Sequence, residues 1–160
     1  LNKVEKIINE FSKDDKKMII YDFPILFKDK KQIIYEKRNK ILKTYWGYIH
    51  PTSCISIKKS FANEIFRNVS SEDYTNIWLD LRILLFSKYK HSYNVINEKL
   101  TYYRQTEDNI SSKFKKYSSN WWIRRNEAHE YFFDFAKKNN LKISKNLDFY
   151  ITKIFNSFIK

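Results

Sequence analysis

Between Ile77 and Phe86 the only polar residues are Asp80 and Arg82, in the run Trp78-Leu-Asp-Leu-Arg-Ile-Leu-Leu-Phe86. A helix that is apolar on nearly every face is a buried helix. Asp and Arg are almost never buried without a partner or a cavity to face. Asp80 therefore has either a structural mate or a view into a site, where a carboxylate can serve as a general base. Thr75 is a candidate N-cap that would place Asp80 within the first two turns, where the helix dipole favours a carboxylate. On the residues alone that structural account is the simpler one, and a functional carboxylate stays open beside it.

Three further stretches stand in a fixed order around this one: His50-Pro-Thr-Ser-Cys-Ile-Ser-Ile-Lys-Lys59, Leu100-Thr-Tyr-Tyr-Arg104 and Asn109-Ile-Ser-Ser112. Taken with Trp78-Leu-Asp80, this order resembles the C-terminal, acceptor-side half of family 2 glycosyltransferases, which have the GT-A fold. The similarity spans Tyr45 to Ser112, and Trp121-Trp-Ile-Arg-Arg-Asn-Glu-Ala-His-Glu-Tyr131 is similar to the tail of some bacterial members. Each motif is only moderately specific, and their shared order is the stronger signal. The resemblance implies that Asp80 is the catalytic base. Thr52, Ser53, Trp78, Arg82 and Arg104 then become candidate substrate-binding residues, with Arg104 and Arg82 able to pair with phosphates or orient Asp80. For Arg82 an ion pair with Asp80 or Glu72 is an equal alternative.

The same resemblance implies a nucleotide-sugar donor, a glycan acceptor and, in the complete enzyme, a divalent cation (Mg2+ or Mn2+). In the family an acidic Asp-x-Asp motif, which holds that cation and the nucleotide diphosphate, comes directly before a helix like Asn2-Lys-Val-Glu-Lys-Ile-Ile8. This sequence carries no such motif there, and Asp14-Asp15 follows the helix and reads as a solvated charge pair. Many relatives also have His two residues after the arginine where Thr106 stands, and Thr106 cannot ligate as His does. The expectation is thus an acceptor-side portion with no metal site and no cofactor of its own, inactive alone.

The lone glycine rules out a Gly-rich phosphate loop. The single Cys54 rules out an internal disulfide and suits a reducing compartment. With 18% aromatic residues among 160, one domain with a sizeable core is expected rather than disorder. The net charge of +13 would attract nucleic acid. The lysines and arginines are scattered, however, and charge alone reports non-specific affinity, so no specific nucleic-acid partner is expected. An anionic membrane surface or an anionic nucleotide-sugar satisfies the charge equally well. With no apolar run long enough to cross a bilayer, the expected location is cytoplasmic, including the inner face of the membrane.

The fold class expected is α/β: a mixed, incomplete GT-A-like sheet with packed helices over residues 1–118, and a helical C-terminal extension, 119–160, packed on it. Val4, Ile7, Ile8 and Phe11 recur at helical spacing. Lys17 to Phe23 and Gln32 to Tyr35 read as strands, with Pro24 at the edge or end of the first. Glu36 to Lys43 is a charged connector, and Tyr45-Trp46-Gly47-Tyr48 is either core or a sugar-stacking platform. Thr52 to Ile57 reads as a short strand and Lys59 to Phe66 as a helix, with N-cap chemistry in Ser70-Ser-Glu-Asp73. Ser92 to Ile96 and Leu100 to Arg104 suggest a hairpin about Asn97-Glu98. In the last helix Leu147, Tyr150, Ile151, Ile154 and Phe158 share a face, which is core or an interfacial membrane or partner face. Half a sheet leaves an open edge, so self-association is expected. The alternatives to the glycosyltransferase reading are a non-catalytic carbohydrate- or protein-binding module and a basic nucleic-acid-binding domain.

Overall fold

The computed structural model describes residues 2–28, 31–33, 44–69, 73–106 and 113–159. The chain divides into two units. Leu1–Lys37, Tyr48–Ser70 and Trp78–Thr106 form the first, and Arg38–Gly47, Ser71–Ile77 and Glu107–Lys160 the second.

The first unit is mixed α/β, as the sequence implies. Helix α1, Lys3–Lys13, starts where the Asn2 side chain accepts from the Val4 N–H. It ends at Asp14, whose side chain turns back to accept from the Lys16 N–H, while Asp15 faces Lys58 at 3.7 Å. Strand β1, Ile19–Lys28, is the centre of the sheet. Strand β2, Lys31–Ile33, runs antiparallel to its far half, and β3, Ile55–Ile57, antiparallel to its first residues. A 3-10 turn at Thr52–Cys54 leads into β3, so the expected strand from Thr52 begins three residues later. Helices α2, Lys59–Val69, and α3, Leu79–Tyr89, then bring the chain to β4, Tyr93–Gln105, which lies parallel to β1 on its other side.

Two strand expectations are corrected. The hairpin about Asn97-Glu98 is a single 13-residue strand. A tight hairpin needs positive φ at its turn, and among the described residues only His91, Tyr117, Asn140 and Gly47 have it. The irregularity is instead absorbed as a bulge, where the β1–β4 register shifts between Tyr21 and Pro24. Pro24 lies inside β1 rather than at its end. It falls at that shift, beyond the residues paired with β3 and before those paired with β2, where a missing N–H costs a central strand least.

Ile19, Ile20 and Tyr21 of β1, Ile65 and Val69 of α2 and Leu81 of α3 carry the core. Burying each such aliphatic side chain contributes about 1.5–3 kcal/mol. Among the described residues β4 pairs with β1 alone.

In the second unit, α4, Ser119–Lys138, is capped by Ser118, which accepts from the Trp121 N–H. It closes at Asn140, which takes φ 55° while the Leu141 N–H reaches the Ala136 carbonyl at 2.8 Å. This is the left-handed C-terminal cap that Asn tolerates better than most residues. Helix α5, Leu147–Ser157, is capped by Asn146 and packs on α4. Residues 34–43, 70–72 and 107–112, which hold the charged connector, most of the Ser70 loop and Asn109-Ile-Ser-Ser112, lie outside the described residues.

Candidate functional site

Helix α3 begins without a side-chain cap: Trp78, half-buried and extended, is its N-cap, and Thr75 lies in the turn before it. Asp80 takes over part of the capping role, because its carboxylate accepts from the Leu81 N–H at 2.9 Å in the first turn. Every residue from Leu81 to Ser87 is buried, whereas Asp80 keeps part of its surface exposed. Arg82 is drawn inward. Its guanidinium donates to the Val69 carbonyl at 2.9 Å, at the end of α2, where a cation meets the negative end of the helix dipole. The two polar residues of the run thus take different positions, one partly open and one serving the core.

The sheet face under α3 is aromatic. The Tyr21 hydroxyl meets Ser87 at 2.8 Å, which seats α3 on this side. Burial pushes the Tyr21 hydroxyl far above its usual pKa, and the charges of Tyr93 and Asp80 add to that. The His50 ring lies 4.9 Å from both Tyr21 and Phe23, and Tyr48 packs on Phe23 and His50 at 5.5 and 4.8 Å. Tyr48 remains 50% exposed. His50 donates from Nδ1 to the Asp22 carbonyl at 2.7 Å, and burial holds its pKa below the ordinary value, which favours neutral imidazole at neutral pH.

Asp22, the next residue along β1, points to the opposite face and is fully buried. Thr101 donates to its Oδ1 at 2.7 Å and the Lys3 ammonium faces its Oδ2 at 2.8 Å. Lys3 also donates to the Ser53 carbonyl at 2.8 Å. Cys54 packs here, and burial pushes its thiol up to about 11, so it is no nucleophile at neutral pH. Ser53 therefore belongs to the cluster that ties α1 to the sheet, through its backbone, and Thr52 beside it is exposed. Arg104 is exposed near the end of β4, in register with Phe27. Of the sequence candidates, Asp80 and Trp78 share the start of α3, while Thr52 and Ser53 share the turn before β3.

In the second unit, Asp148 of α5 is 2% exposed and pairs with Arg125, and with His129 Nε2 at 3.2 Å. Burial pushes the Asp148 carboxyl up, but hydrogen bonds from His129 and Arg125 outweigh it and hold the carboxyl below its usual range. Trp46, Tyr45 and Phe149 wall His129 at 5.1, 5.6 and 5.6 Å. Tyr45 and Trp46 are thus packing residues here, whereas Tyr48 belongs to the open ledge of the first unit.

The Asp22 cluster and the Asp148 cluster were not singled out from the sequence. A carboxylate in an otherwise apolar strand, Ile19-Ile-Tyr-Asp-Phe23, is the same signal that marked Asp80. Among the described residues no three His, Cys, Asp or Glu side chains are grouped to hold a metal ion. Set against known proteins, the chain matches no family model, no curated protein and no solved structure.

Proposed function

We propose that the first unit is the acceptor side of an inverting glycosyltransferase, with Asp80 as general base. The observations that support this reading are a partly exposed carboxylate on the first turn of a buried helix and, packed on Phe23 and His50, a Tyr48 ring that is half open. A sugar presents a C–H face that packs on an aromatic ring and hydroxyls that reach a nearby carboxylate. The acceptor hydroxyl oxygen attacks the anomeric carbon of the nucleotide-sugar, forming the new glycosidic bond with inversion as the bond to the diphosphate breaks. Its proton passes to Asp80, and the diphosphate leaves with the bonding electrons. The positive end of α3 favours a carboxylate at this position.

No step is assigned to a cation, because the described residues do not group to hold one. The donor's diphosphate is assigned to a nucleotide-binding half beyond these residues, with the exposed Arg104 as the candidate among them to meet it. The ledge without a cation seat equally suits a carbohydrate-binding module that does no chemistry. Saturation-transfer NMR with a panel of oligosaccharides tests the acceptor surface on the chain itself. Wild type should show transfer to sugar C–H protons and Tyr48→Ala should lose it. Equal signal from both proteins would remove the ledge from the site.

A further inference from the structure

The periodic apolar stripe of α5 faces outward. The residues of α5 turned into the unit are Asp148, Phe149 and Thr152, two of them polar. Leu147 is 65% and Phe158 81% exposed, and Tyr150, Ile154 and Phe155 are exposed between them. An ordinary surface helix does the reverse and gives water its polar side. A contiguous apolar surface of this kind marks an interaction site.

We propose that this face of α5, with the aromatic start of α4 beside it, docks on the surface of an anionic lipid bilayer. Trp122 stacks on Phe155 at 4.4 Å, nearly parallel, and its other neighbours Trp121 and Tyr117 extend the apolar surface along α4. Tyr117 is 65% exposed. Trp and Tyr rings are the side chains that settle at the boundary between acyl chains and headgroups. At 11 residues α5 is about 16 Å long, about half of what a bilayer core requires. No helix among the described residues is long and apolar enough to cross a membrane. The geometry is therefore that of a helix lying in the interface.

Charge selects the occupant. Residues 113–159 hold ten basic residues against four acidic ones. All four acids already have partners inside the unit: Glu127 with Asn76, Glu130 with Lys153, Asp134 with Tyr74 and Asp148 with Arg125. Lys116 lies over the exposed Tyr117 ring, so a cation stands at the apolar surface. A second copy of the chain would bring the same excess of positive charge to the face and be repelled, whereas an anionic lipid surface neutralises it.

Flotation with phosphatidylcholine vesicles, with and without phosphatidylglycerol, is the test, read together with tryptophan emission. The chain should float with the anionic vesicles, with a blue shift from Trp121 and Trp122, and should leave them as salt rises. Ile154→Ser with Phe158→Ser should cut binding at least about ten-fold. Both positions are exposed, so the melting temperature should hold. Lys116→Glu should cut binding by roughly five-fold or more. Failure to float with anionic vesicles, or equal flotation of the Ile154/Phe158 variant, overturns the proposal. So does light scattering that shows a dimer dissolved by that same variant, because a second copy then covers the face.

Discussion

Removing the buried charge at the α4–α5 junction should cost the protein much of its stability. Asp148→Asn keeps the shape of the side chain and a hydrogen bond to His129 but strands Arg125, whose side chain is 14% exposed. Breaking a buried pair by removing one partner costs about 3–5 kcal/mol, because the other charge is left uncompensated. Arg125 keeps its cation–π contacts with Trp121 and Trp46, at 4.9 and 5.7 Å, which places the expectation at the low end of that range. About 3 kcal/mol corresponds to a fall in melting temperature of about 6–12 °C for a chain of this size. The pH dependence follows from the depressed carboxyl. Its stabilisation is present above the unfolded carboxylate value of about 3.9, and it is lost as pH falls through the lower folded value. The gap between wild type and variant should therefore be full at neutral pH and narrow in acid. Urea unfolding followed by tryptophan fluorescence reads both, and Arg125→Met added to Asp148→Asn should recover part of the loss. A loss below about 1 kcal/mol at neutral pH, or a gap that does not narrow in acid, would refute the reasoning.

Substitutions at three other positions separate geometry from chemistry. Lys3→Met leaves fully buried Asp22 without its cation, whereas Asp22→Asn lets the Lys3 head return to water. Lys3→Met should therefore be the more damaging of the two, by about 1–2 kcal/mol in denaturant unfolding; the reverse order would show that Lys3 contributes little to the cluster. Asn140→Ala should cost about 1 kcal/mol at its φ of 55°, and Asn140→Gly should cost nothing or stabilise, as read by thermal melting.

The sequence made legible those features that depend on local pattern. The mixed α/β class, the helices α1, α2, α4 and α5 and the isolation of Asp80 within a buried run all follow from periodicity and composition. What it hid depends on partners distant along the chain. The stripe from Leu147 to Phe158 identifies an apolar face, but not that α4 takes the other face through Asp148, Phe149 and Thr152. Asn97-Glu98 looks like punctuation, yet the parallel pairing with β1 absorbs it as a bulge. Asp22 reads as an interruption of a strand until Lys3, from the first helix, and Thr101, from the last strand, meet it. Arg82 becomes a phosphate candidate only through the resemblance, and no local pattern tells that its guanidinium reaches the end of α2.

Asp80→Asn tests the central claim most directly, in a form of the protein that also carries a donor-binding half. Asparagine keeps the size of the side chain and an acceptor for the Leu81 N–H but cannot take the acceptor's proton. Sugar transfer should fall roughly 10²–10⁴-fold, as for other lost general bases, while donor affinity and melting temperature stay near their wild-type values. Near-normal turnover of the folded protein, accompanied by a clear drop in melting temperature, would contradict the account and leave Asp80 as the cap of α3.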